Sequence, residues 1–301
     1  MATESVPAPV AARRRVSAFL YRRRWLKLVL LLIPPFGWMV VVYLAALAVL
    51  LATAFWQQDV LSGKIIHTFT TDNIQYIRND PTIRKVTRDT VQMAVIVTIT
   101  DILLAFPLAY YMVRIASRRT RALLLVGVLM PLWSSYLIKA YTWRLMTGDK
   151  GTINWALGQV GLGPLHIAFT QTAMWLAFSY IWLPYMVLPV YAALERIPNS
   201  LIEASEDLGG RAWRTLRSVV LPLALPGIAA GSIFTFSLTL GDYIMVDLVG
   251  GNKTDFLGSI IYRYQGVAND LPLAAAVAII PVVVITVYLL LVKRLGAFEA
   301  L

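Results

Sequence analysis

The sequence predicts an all-α membrane protein with six transmembrane helices. Of its 301 residues, 58% are hydrophobic and only 14% are charged, whereas about a quarter of the residues in a soluble domain are charged. The mean hydropathy is +0.69. Several apolar runs reach the roughly 20 residues that a helix needs to cross the hydrocarbon core of a bilayer.

The six predicted spans follow one another along residues 28–295, which we interpret as one transmembrane domain. The first follows a basic N-terminal segment, residues 1–27, and runs without a charge from Leu28 to Trp56. Because this run is longer than the apolar core of a signal peptide, we expect a retained span. The third span is the shortest. The predicted limits are 30–54, 90–113, 121–138, 171–194, 220–242 and 271–292.

The distribution of basic residues predicts the orientation of the chain. With the N-terminus in the cytoplasm, the cytoplasmic segments hold 17 of the 27 lysines and arginines, in fewer residues than the external segments. The positive-inside rule therefore favours a cytoplasmic N-terminus and a cytoplasmic C-terminus.

Composition and motifs also argue against several functions. The net charge of +11 is spread beside the apolar runs rather than gathered in one patch, so we expect no nucleic-acid partner. The chain has no cysteine, and its two histidines, His67 and His166, lie in separate loops, so no metal site is predicted. The stretch "GGNKT" at Gly250–Thr254 lacks the glycine that a P-loop has before its lysine. We therefore expect no ATPase site in this chain.

A polar insert at residues 198–219 separates the fourth and fifth spans. Ser200 and Glu203 have the spacing of a capping box, which predicts a helix beginning at Leu201. Gly209 and Gly210 are expected to end that helix. A second short helix is predicted after them, with three arginines at intervals of three residues. These features alone leave open whether the insert contacts lipid headgroups or another protein.

The spacing E-A-S-x3-G-x9-V-x-L-P, from Glu203 to Pro222, resembles the "EAA" loop of permeases of ATP-binding cassette (ABC) importers. Ser205 replaces the second alanine of that pattern, and Val219 replaces an isoleucine. The resemblance implies a type I importer architecture and a loop that docks on a separate ATP-binding subunit. It assigns that coupling role to Glu203, Ala204, Ser205, Gly209, Leu221 and Pro222.

The same resemblance implies the other partners and the cofactors. They are a dimer of ATP-binding subunits, a second homologous permease, an extracytoplasmic solute-binding protein and membrane lipids, in the inner membrane of a bacterium. ATP and Mg²⁺ are expected to act in the partner subunits, with no cofactor on this chain.

Three further stretches resemble the spermidine/putrescine-type branch of these permeases. They are Met130–Trp143, Tyr180–Gly209 and Leu240–Gly251. Other branches for thiamine, ferric iron or other small solutes have similar permeases, so the solute stays open. An ion-coupled secondary transporter and a non-transporting membrane anchor are the alternatives from other classes.

A polyamine pathway needs carboxylates and aromatic faces, because its solute is a polycation with apolar methylene groups. Asp101 lies about 15 Å into the second span at 1.5 Å per residue, near the midplane. Asp242, Tyr243 and Asp247 follow the fifth span, at positions where the polyamine branch tends to carry acidic and aromatic residues. Trp133 is the aromatic candidate of the third span, more than Tyr136, Tyr141 or Trp143.

Each of these candidates also has a structural interpretation. Asp101 is also compatible with a hydrogen bond to a neighbouring helix. Asp242 and Asp247 are also compatible with solvated positions at the external end of the spans. The aromatic side chains fit an interfacial belt. Lys139 and Arg144 argue against a cation pathway on that side of the third span.

Overall fold

A computed structural model of the chain describes residues 24–59, 62–251 and 254–294. The basic segment predicted at 1–27 lies outside these residues, except for its last four. The described chain divides into two units, residues 24–53 and residues 54–294. The first unit is a single helix, α1 (Arg24–Thr53), which continues through Pro34 and Pro35. At 1.5 Å per residue it is about 45 Å long, enough to cross a bilayer.

The second unit begins with a short antiparallel pair of strands, β1 (Gln57–Gln58) and β2 (Ile65–Ile66). Helices α2 (Asp72–Asn79) and α3 (Pro81–Arg114) follow. The side chain of Asp80 caps α3 by accepting hydrogen bonds from the amides of Thr82 and Ile83. Partial burial alone would raise the pKa of this carboxyl, but these hydrogen bonds outweigh it and lower the pKa. The cap places the start of α3 nine residues before the predicted limit.

The third predicted span is interrupted. Helix α4 (Arg118–Trp133) ends five residues before the predicted limit of 138, and α5 (Tyr136–Thr147) and α6 (Thr152–Gln159) follow. The segment after Ser135 leaves α4 at an angle of 98°. The Ser134 hydroxyl and the Lys139 ammonium donate to the Pro131 carbonyl oxygen at 3.0 and 2.9 Å. These hydrogen bonds provide donors for a backbone carbonyl oxygen in the last turn of α4. They explain why the helix can end inside an apolar run.

Three long helices form the centre of the second unit. Helix α7 (Gln171–Glu195) packs against both α3 and α10 (Leu221–Gly241), and α3 and α10 also contact each other. Close approach of α7 and α10 depends on Gly227, which lies against Pro189 and Ala193, and on Gly231, which lies against Met186. Helix α11 (Leu257–Gly266) and the last helix, α12 (Leu271–Arg294), pack beside this core.

The described residues contain five helices long and apolar enough to cross a membrane, or six if the bent α4–α6 segment counts as one span. The predicted all-α membrane fold is therefore confirmed. The fifth span starts earlier than the predicted residue 220, because a helical path runs without a break from Ala212 to Gly241.

Candidate functional site

The polar insert forms an exposed helix, α8 (Asn199–Asp207), between α7 and the start of the fifth span. Pro198 is its N-cap residue, and no side chain caps the helix. The predicted capping box of Ser200 and Glu203 is therefore wrong. Because the fixed φ of Pro198 suits the residue that precedes a helix, α8 begins at Asn199, which places Ser200 inside the first turn.

Glycine ends α8 as predicted. Leu208 is the C-cap, and Gly209 adopts a φ of +79°. The Gly210 amide then donates to the Ser205 carbonyl oxygen at 2.8 Å. A Cβ at Gly209 would meet nothing within 4 Å, so glycine is favoured there by backbone conformation alone.

The second predicted helix of the insert is not a separate element. A single turn, α9 (Ala212–Thr215), continues through a π-helical turn (Leu216–Val220) into α10. The hydroxyls of Ser205 and Thr215 lie 2.9 Å apart and hydrogen-bond α8 to this turn. Gly210 lets the two segments meet, since a Cβ there would lie 2.6 Å from the Ser205 hydroxyl. Helix α8 is thereby joined to the turn that leads into the fifth span.

The residues that carry the loop pattern lie in two places. Glu203, Ala204 and Gly209 are exposed on α8 and its end, whereas Ser205 is half-buried beneath them. Leu221 and Pro222 are exposed at the first turn of α10. Two large apolar side chains extend the exposed part, because Leu208 is 88% and Trp213 71% exposed. We call the exposed face formed by Glu203, Ala204, Leu208, Gly209 and Trp213 the α8 face.

Arg114, the last residue of α3, joins the start of α8 to the helix bundle. Its guanidinium donates to the carbonyl oxygens of Leu194 at 3.1 Å and Ile197 at 2.8 Å. It also hydrogen-bonds the side-chain oxygen of Asn199, the first residue of α8. The connection from α7 to α8 is therefore held by α3 through one side chain.

At the opposite end of α10, Asp242 is a half-buried C-cap residue. Its carboxylate accepts a hydrogen bond from the Tyr136 hydroxyl and another from the Met245 amide at 2.9 Å. The Tyr136 ring stacks on Trp182 with centroids 6.0 Å apart. The structure thus brings the first turn of α5, the middle of α7 and the end of α10 together around one acid.

Asp101 is enclosed in the bundle. It is 0% exposed, and neither carboxylate oxygen has a hydrogen-bond partner of ordinary geometry among the described residues. Its carboxyl interacts with Ser179 on α7, whose hydroxyl also lacks a partner of ordinary geometry. A buried polar group of this kind is costly and often functional in a membrane protein. In this chain it lies between α3 and α7 rather than on an open surface.

The three remaining pathway candidates are Trp133, Tyr243 and Asp247. Trp133 is 86% exposed at the bend after α4. Tyr243 stacks on Tyr262 of α11 with centroids 4.6 Å apart. Asp247 is exposed on the π-helical turn Val246–Gly250. Three of the five pathway candidates lie close together: Asp242 and Tyr243 are chain neighbours, and the Asp247 amide donates to the Tyr243 carbonyl oxygen at 3.0 Å.

Sequence reasoning missed Trp182 and Tyr262, which supply the aromatic surfaces next to Tyr136 and Tyr243. Trp182 lies within the stretch Tyr180–Gly209 that resembles the polyamine branch, but nothing in the sequence marks it or Tyr262 as the partner of a candidate residue. To find them from the sequence, one would have to know which helices, distant along the chain, pack against each other.

No group of histidine, cysteine, aspartate and glutamate capable of holding a metal occurs among the residues that the structure describes. The stretch Gly250–Thr254, which partly matches the P-loop pattern, includes two residues, 252 and 253, outside that part of the chain.

Comparison with known proteins gives a family match over residues 10–297, to the model described as "Binding-protein-dependent transport system inner membrane component". Over 300 residues, 95% of each chain, the sequence is 45% identical to the inner membrane ABC transporter permease protein YdcU of Escherichia coli K12. It is 32% identical over 248 residues to the spermidine/putrescine transport system permease protein PotB of Haemophilus influenzae. That alignment covers 81% of this chain and 85% of the relative.

A solved structure shows the same fold. It is a bacterial alginate ABC transporter in complex with a periplasmic protein carrying an alginate pentasaccharide. One of its chains superposes with a TM-score of 0.73 at 18% identity, over 95% of this chain and 98% of that one.

Proposed function

The chain belongs to the family of binding-protein-dependent transport system inner membrane components, and from that premise we propose that it carries polyamines across the membrane. As a permease subunit of an ABC importer, it is a multi-pass protein of the bacterial inner membrane. Its family membership sets aside the ion-coupled transporter and the membrane anchor that the sequence alone left open. The observation that carries the polyamine proposal is the 32% identity to a spermidine/putrescine permease over 81% of the chain.

The chemistry around Asp242 suits an ammonium group. A carboxylate attracts the cation, and the aromatic faces of Tyr136, Trp182 and Tyr243 suit both cationic and methylene groups. Cation–π contacts contribute roughly 0.5–2 kcal/mol each. Asp247 extends the acidic character along the same end of the bundle. We assign Asp242 to solute contact and place Trp133 and Asp101 as secondary candidates for the pathway.

The α8 face is the proposed docking surface for an ATP-binding subunit. Leu208 and Trp213 supply exposed apolar area, and Glu203 supplies a charge beside them. An interface of this kind, with aromatic anchors surrounded by polar groups, is typical of specific protein contacts. ATP and Mg²⁺ would act in that partner rather than on this chain.

The proposed mechanism is alternating access. ATP draws the two ATP-binding subunits together, and their movement pulls on α8. Arg114 and the Ser205–Thr215 hydrogen bond pass that movement to α3 and α10. The pore, shared with a second permease subunit, then opens toward the solute-binding protein, and it reopens to the cytoplasm after hydrolysis.

Reconstituted transport tests the proposal. The full importer, with both permeases, the ATP-binding subunits and the solute-binding protein, is placed in vesicles, and ATP-dependent uptake of radiolabelled spermidine is measured. Excess putrescine should compete, whereas thiamine and ferric chelates should not. Spermidine uptake that is absent, or that proceeds without ATP, would contradict the proposal.

A further inference from the structure

A continuous apolar groove runs along α3 on the side of the chain that bears the α8 face. It consists of two adjoining cavities of about 410 and 390 Å³. Phe106, Pro107, Trp213 and Leu216 line both cavities, so they are parts of one depression. We call this depression the α3 groove.

The α3 groove is long and narrow. Along α3 its lining extends from Ile102 to Ile115, which corresponds to about 20 Å at 1.5 Å per residue. It begins one residue after the buried Asp101 and ends just beyond the last turn of α3, so it reaches from the inner part of the bundle to its polar end. Its opposite wall is the helical path from Ala212 to Ile228. An extended hydrocarbon chain fits such a groove better than a folded solute does.

One cation lies in this otherwise apolar lining. Arg217 lines the inner cavity and is exposed, and no ion pair or hydrogen bond to its side chain is found within the described ranges. An arginine in a membrane-facing segment is costly unless its head reaches polar groups at the interface. Trp213, 71% exposed, lies one helical turn earlier, where an indole suits the headgroup level.

We propose that the α3 groove is a binding site for an anionic phospholipid, with one acyl chain along Ile102–Pro107 and its phosphate on Arg217. The lining matches both parts of such a molecule, because apolar side chains cover the length of the groove and the guanidinium offers a fork of donors to a phosphate. Basic pockets between transmembrane helices on the cytoplasmic side are suited to anionic headgroups. The assignment to the cytoplasmic leaflet rests on the proposed orientation; the site itself does not depend on which solute is carried.

A lipid at this place would have a mechanical consequence. The two walls of the groove are α3 and the base of the fifth span, which are the elements linked to α8 through Arg114 and Thr215. A bound acyl chain would fill the space between them and limit how far they close. Anionic lipid content would then change the rate of transport without contacting the solute.

Photolabelling tests the site directly. The complete importer is reconstituted in vesicles containing phosphatidylglycerol with a photoactivatable acyl chain, and labelled peptides are identified by mass spectrometry. Label should appear in the peptides that contain Phe106 and Trp213. Arg217→Gln should reduce this labelling about fivefold, the factor expected for losing one basic residue at an anionic surface. Arg294→Gln, an exposed arginine at the end of α12, should leave it unchanged.

A second pair of variants separates occupancy from charge. Leu103, 68% exposed in the groove, is changed to tryptophan to fill it, and Leu290, 57% exposed on α12, receives the same change as the control. Leu103→Trp should reduce the label and Leu290→Trp should not. Equal labelling by phosphatidylcholine, label confined to other peptides, or protection of the groove by the second permease would overturn the proposal. None of these outcomes depends on spermidine uptake, so failure of the lipid site and failure of the polyamine proposal are distinguishable.

Discussion

The guanidinium of Arg114 bridges the last turn of α3 to Asn199, the first residue of α8, and to the Leu194 and Ile197 carbonyl oxygens. These three acceptors belong to the end of α7, the residues that follow it and the start of α8. One side chain therefore fixes the angle at which α8 leaves the bundle. An arginine is suited to this role because its rigid fork reaches several acceptors at once, which a lysine cannot do.

Arg114→Lys should therefore uncouple α8 from α3. Loss of hydrogen bonds from a charged donor should lower the free energy of unfolding by about 2 kcal/mol, measured by denaturant titration of the isolated chain in detergent. ATP-driven uptake should fall more than ATP hydrolysis does in the reconstituted importer. The control is Arg118→Lys, at the exposed first position of α4. Equal effects of the two changes would argue against the bridging role.

Glu203 offers a test in which function changes and stability does not. Its side chain is exposed, and within the part of the chain that the structure describes no hydrogen bond to it is found. Glu203→Ala should therefore change the free energy of unfolding by no more than about 0.5 kcal/mol. If the α8 face docks on an ATP-binding subunit, the same change should reduce transport and the stimulation of ATP hydrolysis by loaded binding protein.

Glu206 is the matched control for Glu203. It lies on the same exposed helix but outside the loop pattern. Glu206→Ala should preserve both rates to within a factor of about two, since an exposed charge away from an interface core contributes little. Normal transport by the Glu203 variant would contradict the assignment of the α8 face to docking on an ATP-binding subunit.

The charge of Asp242 is the third target. Asp242→Asn keeps one oxygen, which can accept from the Met245 amide, and gains an NH2 group that can donate to the Tyr136 hydroxyl oxygen, so the end of α10 should stay folded. Loss of the negative charge should raise the KM for spermidine about tenfold, because a cation near a partly buried carboxylate gains on the order of 1–3 kcal/mol. Asp149→Asn, an exposed acid near His166, is the control. An unchanged KM would exclude Asp242 from solute contact.

Much of the fold was predictable from the sequence because apolar length determines a membrane helix. The fourth and sixth spans were predicted to within two residues of α7 and α12. The third span was predicted to continue to residue 138, whereas α4 ends at Trp133. The bend at Ser134 depends on a hydrogen bond from Lys139 to the Pro131 carbonyl oxygen, and local composition does not indicate that contact.

The candidate site likewise contains one feature that the sequence predicted and others that it did not. Gly209 was predicted to end α8 because a left-handed residue favours glycine, and the φ of +79° agrees. The capping box failed because Pro198 set the start of the helix one residue before Ser200. The contact between Tyr136 and Asp242 joins residues 106 positions apart, and neither residue type nor spacing in the sequence indicates it.

The crossing of α7 and α10 supplies the last prediction. A Cβ added at Gly227 would lie 2.5 Å from the Pro189 carbonyl oxygen, and this acceptor belongs to the backbone of α7, which cannot rotate away. Gly227→Ala should therefore push the helices apart and lower the free energy of unfolding by roughly 1–3 kcal/mol. Gly127 on α4 is the control, because a Cβ there meets nothing within 4 Å. Gly127→Ala should leave stability unchanged or raise it by up to about 1 kcal/mol, since alanine is the better helix former. Denaturant titration of both variants in detergent measures the change in the free energy of unfolding for each. A Gly227 variant as stable as the Gly127 variant would contradict this close crossing.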